Sequence, residues 1–200
     1  MENRLKALAR YAGFCGAALF ASALIGFGAA LQGYSQSQHP VALLGASGFP
    51  HAQVFNTLGF LLPGLLAGVV AISLRGSLPP RTAWPARIGA QLVCVSALAF
   101  IAMGLLPLDP ADLENKVSSL HGTAWMLWSV AFIPGALLLS AALWNEPHWS
   151  GFARLGLCAA TGQLVAGFLL PEVIPAGIAH RIAFGIWWVW LACAGLSRLR

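Results

Sequence analysis

The sequence predicts an all-α, polytopic membrane protein with a single domain of six transmembrane helices over residues 1–200. Hydrophobic residues make up 58% of the chain and charged residues 8%, whereas soluble domains contain about 25% charged residues. With so little charge, too few polar side chains remain to cover a water-facing surface. The apolar residues also fall into six runs, each close to the ~20 residues that a helix needs to cross a bilayer.

The six runs are predicted to be helices and not barrel strands. They lack the polar and apolar alternation of a barrel strand, and backbone groups in lipid must be hydrogen-bonded within the segment. The first run is too long for a cleaved signal peptide, so it is expected to remain as an anchor. The predicted spans are residues 8–31, 51–74, 85–106, 120–144, 151–170 and 178–196.

Basic residues beside the spans predict the orientation in the membrane. With the N-terminus inside, two of the 11 basic residues, Lys116 and Arg181, fall on the outer side. The others fall on the inner side: Arg4, Lys6, Arg10, Arg75, Arg81, Arg87, Arg154, Arg198 and Arg200. This bias predicts that both termini are cytoplasmic. Because these residues flank the spans and form no single patch, the net charge of +5 does not indicate a nucleic-acid partner.

Histidines and acidic residues collect on the predicted outer side. His51, His121 and His180 each open a helix that returns inward. The third and fifth spans end in GLLPLDP and GFLLPE, which place Asp109 and Glu172 just beyond the membrane. Each of these acids precedes a helix headed by a histidine. This weak repeat predicts three related helical hairpins with similar chemistry at their outer tips.

The first outer loop is the longest. Its segment VALLGASGF is too short to span a membrane, so it is expected to lie at the interface or to dip back in as a cover. His51 and Asn56 would then lie beneath it. Pro63 and Pro134 are predicted to kink two returning helices and so to open a cavity. The alternative is that proline is simply more frequent in membrane helices.

Two sets of residues resemble a known family. The first set is Tyr34-Ser35, Leu44-Gly45-Ala46, Gly48, Pro50 and Phe55-Asn56; the second is the run from Gly104 to Asp109 followed by His121-Gly122. They resemble, in the same order, signatures of the bacterial membrane proteins catalogued as domain of unknown function 998. The resemblance implies a six-helix protein of the bacterial inner membrane with outward-facing signatures, and it implies no activity. The chain has VALLG where that family usually has a Ser-Glu-Leu-Gly run.

These observations predict an outward-facing polar pocket that binds a small amphipathic or lipid-like ligand, with membrane lipid as a partner. Polar residues in membrane segments are costly and usually face a bundle interior or a wet cavity. The residues expected to line the pocket are His51, Asn56, Asp109, His121, Glu172 and His180. Deeper serines such as Ser129 are instead expected to bond neighbouring helices, and Gln163 fits either role.

A metal-dependent membrane enzyme is the first alternative. His51, His121 and His180, with Asp109 or Glu172, would suit zinc or copper, since three protein ligands and a water form a hydrolytic site. The sequence has no short ligand motif such as HExxH, so this site requires the three helices to converge. Interfacial histidines more commonly bond lipid headgroups or loops.

A packing or assembly subunit is the second alternative, with another membrane protein as its partner. The chain is small, and the residues between the six runs leave scarcely any length for a soluble domain. Coupled transport is disfavoured, because no span carries a charged residue near its centre.

Overall fold

The computed structural model describes residues 2–79 and 82–196, with side chains from Arg10 onward. In this part of the chain, six helices are long and apolar enough to cross a membrane, and no strand is present. The helices are α1 (Glu2–Ala30), α2 (Ala52–Ser77), α3 (Trp84–Leu105), α4 (Lys116–Leu143), α5 (Ser150–Glu172) and α6 (Ala176–Leu196). The predicted all-α class and the six spans of a multi-pass membrane protein are confirmed.

Helix ends differ from the predicted spans where polar residues begin a helix. α4 starts at Lys116, before the predicted start at residue 120, because Asn115 caps it. The Asn115 side chain accepts a hydrogen bond from the Ser118 amide at 2.9 Å, which satisfies one free amide of the first turn. Hydropathy alone does not detect such a polar first turn.

The core of the bundle is aromatic. Phe100 stacks on Trp187 with ring centroids 4.8 Å apart, and Trp128 lies 4.6 Å from Phe184. These separations are typical of favourable aromatic pairs. Phe60 of α2 packs 5.2 Å from Phe100, so the core joins four helices and supports the part of α2 that carries Asn56.

Glycine allows α3 and α4 to approach closely. A Cβ added to Gly89 would lie 2.7 Å from the Gly135 carbonyl oxygen, and a Cβ added to Gly135 would lie 3.0 Å from the Gly89 carbonyl oxygen. The two backbones therefore touch, as is common between membrane helices with small residues at the crossing.

Three connections, residues 31–51, 106–115 and 173–175, lie together at what we call the first-loop end of the bundle. The Ser47 amide donates to the Leu108 carbonyl at 2.7 Å, which joins the first two. The start of α6, directly after the third connection, lies against the first, since a Cβ added to Gly177 would be 2.5 Å from the Ser37 carbonyl oxygen. Within the first loop, the short 3-10 helix Val41–Gly45 is inserted into the bundle, and Val41 is 2% exposed. This segment, which we call the cover, dips inward, which is one of the two predicted arrangements.

Candidate functional site

The six predicted site residues lie at the first-loop end but do not converge on one pocket. His51 and Asn56 line one cavity, and His121 and His180 line another. Asp109 and Glu172 line neither of these two cavities. The cover lies between the two cavities, since its Gly45 lines the first cavity and its Val41 lines the second.

The first cavity, which we call the polar crevice, has a volume of about 850 Å³. It is formed by the end of the cover, the start of α2 and the end of α3. Polar groups line it together with exposed backbone: Gly45, Ser47, Gly48, Phe49, His51, Ala52, Gln53, Val54, Asn56, Thr57, Leu61, Gly104, Leu105 and Pro107. None of these is an acid, a lysine or an arginine.

Asn56 anchors the cover to α2. It is 8% exposed, and its Nδ2 donates to the Gly45 carbonyl oxygen at 2.9 Å. A Cβ added to Gly45 would overlap the Asn56 side-chain amide. Glycine is therefore needed at position 45 because the cover and α2 approach each other so closely.

α2 widens into a π-helical turn at Asn56–Leu61, just before Pro63. Proline cannot donate the hydrogen bond of a regular helix, and π turns and proline are both common causes of helix distortion. The predicted distortion near Pro63 therefore takes the form of a π turn. Such turns frequently occur at functional sites, and this one positions Asn56 under the cover.

His51 lies where the polar crevice meets two apolar spaces. Its backbone φ is 60°, in the left-handed region that is uncommon for residues other than glycine. The smaller space, about 30 Å³, includes Leu44 and Phe27. The larger, about 400 Å³, is a groove between α1 and α2 that we call the membrane groove; it is lined by Leu19, Ser22, Ala23, Gly26, Phe27, Ala30, His51 and Leu58.

The second cavity, which we call the histidine cavity, has a volume of about 170 Å³. His121 is 6% exposed, and its Nδ1 lies 2.7 Å from the Leu106 carbonyl oxygen. His180 is half-buried, and its ring lies 5.1 Å from that of Trp125. The remaining lining residues are Pro40, Val41, Ala42, Phe60, Met103, Leu108, Gly122 and Phe184.

The structure does not bring the three histidines together as a metal site requires. Within residues 2–79 and 82–196, no group of three His, Cys, Asp or Glu side chains could hold a metal ion. The reason is the inserted cover, which separates His51 from His121 and His180. A zinc or copper centre built from these three histidines therefore finds no support in the geometry.

Asp109 and Glu172 occupy loop positions. The Asp109 carboxylate accepts from the Ala111 amide at 3.0 Å, and its own amide donates to Ser118 Oγ at 3.0 Å. Aspartate commonly stabilises turns in this way. Glu172 is exposed at the end of α5.

Arg181 organises the first loop, although in the sequence it indicates only the orientation of a span. It donates to the side chain of Gln36 at 3.0 Å, to the carbonyl oxygen of His39 at 2.9 Å, and to the hydroxyl of Tyr34. We call this set of contacts the Arg181 latch. Burial raises the pKa of the Tyr34 phenol, and the Arg181 charge opposes that shift. The available sequence signal for this role was the position of Arg181 directly after His180, which was predicted to open a helix.

The deeper polar residues behave in two ways. Ser96 Oγ donates to the Trp128 carbonyl oxygen of α4 at 2.9 Å, and so bonds two helices as expected. Ser129 and Gln163 are fully buried, and their polar side-chain atoms have no hydrogen-bond partner within the described residues. The predicted helix-to-helix bond of Ser129 is therefore wrong, and Gln163 shows neither a helix contact nor a place in the two cavities above.

Comparison with known proteins gives one family. A family model described as a protein of unknown function (DUF998) matches residues 14–197, well over half of the chain. The match confirms the resemblance carried by the first loop and by the run from Gly104 to Asp109. Comparison with curated proteins gave no significant match, and comparison with solved structures gave none.

Proposed function

We propose that this protein, which belongs to the DUF998 family, binds an amphipathic, lipid-like ligand at the first-loop end. The observation that carries the proposal is the position of His51, which lines both the polar crevice and the membrane groove. A polar space and an apolar space that meet at one residue match the two ends of a lipid. The headgroup would lie in the crevice and an acyl chain in the groove.

The membrane groove suits a chain because its walls are apolar and its floor is formed by small residues of α1. A Cβ added to Gly26 meets no atom within 4 Å, so the space beside it is open. Between helices and lipid there is little hydrophobic driving force, and affinity in such a groove comes from close van der Waals packing.

The polar crevice suits a headgroup that is recognised by hydrogen bonds. Ser47 and Gln53 line it with uncharged polar side chains, and His51 adds a ring that can donate or accept. Thr57 Oγ1 donates to the Gln53 carbonyl oxygen at 2.8 Å and keeps its acceptor capacity. These groups orient a headgroup at the point where its chain enters the groove.

Gly26→Leu is expected to displace the bound chain. The added side chain occupies the open space beside α1, so the affinity for lipid should fall by about tenfold through lost packing contacts. The measurement is the amount of lipid that stays with the purified protein after delipidating detergent washes, counted by native mass spectrometry.

Gly68→Leu is the matched control for this variant. Gly68 also lies in a membrane helix with no atom within 4 Å of an added Cβ, and it lines neither the crevice nor the groove. The control should retain lipid like the unmodified protein. Equal retention by all three proteins would contradict the proposal.

We also propose that the first-loop end faces out of a bacterial inner membrane, with both termini in the cytoplasm. The positive-inside bias supports this orientation. Among the basic residues that produce the bias, Arg81, Arg198 and Arg200 lie outside the described residues. The side chains of Arg4 and Lys6 also lie outside the part that the structure describes. In this orientation the polar crevice would be open to ligands that arrive from the outer leaflet.

Cysteine labelling tests the orientation. In a variant without the four native cysteines, Ala111→Cys and His148→Cys each place one exposed thiol at opposite ends of the bundle. In intact cells, a membrane-impermeant maleimide is expected to label Ala111→Cys and not His148→Cys, and permeabilised cells should label both. Labelling of His148→Cys alone in intact cells would reverse the orientation.

A further inference from the structure

The histidine cavity is separate from the proposed lipid site. Its eleven lining residues include none that line the polar crevice or the membrane groove. It is bounded by α4 and α6 on one side and by residues 40–42 of the first loop on the other. A ligand here would therefore be distinct from the proposed lipid.

The size and walls of the cavity suit one ring. Its volume is about 170 Å³, and an apolar protein cavity of about 150 Å³ is large enough to bind benzene. Phe60, Trp125 and Phe184 contribute aromatic walls. Aromatic rings pack on one another in stacked or edge-on arrangements, so these walls favour an aromatic guest.

The two histidines give the cavity a defined hydrogen-bonding character. The Leu106 carbonyl can only accept, so the His121 Nδ1 that lies 2.7 Å from it carries the hydrogen. The Nε2 of a neutral ring is then an acceptor. No hydrogen-bond partner is found for the His180 ring in the part of the chain that the structure describes, although the ring packs on Trp125. A polar ring edge that borders an apolar space gains from a partner.

We propose that the histidine cavity binds a small phenol-like molecule, with one aromatic ring between Phe60, Trp125 and Phe184 and one hydroxyl that donates to the His180 ring. A hydrocarbon ring would fill the space but leave the His180 ring without a hydrogen-bond partner. A molecule with several polar groups would meet apolar walls. A single hydroxyl on a ring satisfies both parts of the cavity.

The first loop forms one wall of this site. Pro40, Val41 and Ala42 line the cavity, and the Arg181 latch holds the adjoining residues through the His39 carbonyl and through Tyr34, whose hydroxyl donates to the Pro40 carbonyl at 3.2 Å. These contacts fix the wall that the first loop gives to the cavity.

The test uses 4-fluorophenol and fluorobenzene as probes in fluorine NMR titrations of the whole protein in nanodiscs. We expect saturable binding of 4-fluorophenol, about tenfold tighter than that of fluorobenzene, as one added hydrogen bond would give. Gly122→Leu fills the cavity, since a Cβ added at Gly122 meets no atom within 4 Å. It should abolish the saturable component, whereas Gly68→Leu should keep it.

A second variant tests the proposal independently, in case Gly122→Leu fails to fold. His180→Phe keeps a ring of similar shape and removes its nitrogens, so it should weaken 4-fluorophenol more than fluorobenzene. If uptake of 4-fluorophenol is non-saturable, or if it is equal in the unmodified protein and Gly122→Leu, the probe only partitions into lipid. Either result would overturn the proposal. Equal affinities of the unmodified protein for the two probes would also overturn it.

Discussion

Gly45→Ala is expected to destabilise the protein by about 3 kcal/mol, because it forces a methyl group into a buried hydrogen bond. The new Cβ would overlap the side-chain amide of Asn56, which holds the cover in place. The amide must then move, and the Gly45 carbonyl loses its donor. For a protein of this size the melting temperature should fall by roughly 6–12 °C, as measured by thermal unfolding in one detergent.

A double-mutant cycle separates the steric cost from the lost hydrogen bond. Asn56→Ala alone should cost less than Gly45→Ala, because it removes the donor without a clash. In the double variant the methyl group has room, so the loss should be smaller than the sum of the two single losses. Gly68→Ala, where an added Cβ meets nothing within 4 Å, is the control. If Gly45→Ala is as stable as this control, the cover is not anchored as described.

The contact between Gly45 and Asn56 also shows which features sequence can predict. The six spans depend on the average hydropathy of about 20 residues, and averaging makes their positions insensitive to any single side chain. The ends are set by individual contacts, such as the Asn115 cap that starts α4 at Lys116. Spans were therefore predicted well, and their ends less well.

The end of the bundle on which the six candidate residues lie was predicted, but their arrangement there was not. The position of a histidine in sequence fixes the end of the bundle on which it lies, and all six candidates lie at the first-loop end. Whether two of them share a cavity depends on a non-local contact, here the insertion of the cover between His51 and His121. The length of the segment predicts that it can dip inward, but hydropathy and spacing do not show which residues it will separate, because that depends on its packing in the folded bundle.

Arg181 illustrates the same limit for charge. In sequence, an arginine at the end of a span contributes one count to the orientation. In the structure its planar guanidinium meets three groups of the first loop, which lie more than 140 residues earlier in the chain. A fork of donors can join several acceptors at fixed angles, and only the folded chain shows which acceptors those are.

Arg181→Ala is expected to loosen the first loop while leaving the helices in place. The Ser35 amide donates to His39 Nδ1 at 3.0 Å, and the His39 amide donates to the Ser35 carbonyl at 2.9 Å. We expect these bonds to be protected from exchange only while the latch holds the loop. A loss of about 2 kcal/mol of local stability should speed hydrogen exchange at both amides by roughly thirtyfold.

The Ser118 amide, bonded to Asn115 at the same end of the bundle, is the internal control and should exchange at an unchanged rate. Arg181→Lys keeps the charge and loses the fork, so most of the increase at Ser35 and His39 should remain. Full protection in Arg181→Lys would mean that charge alone holds the loop. Unchanged exchange at Ser35 and His39 in Arg181→Ala would mean that the buried cover, and not the latch, fixes the loop, since Val41 and Leu44 would then hold it by packing alone.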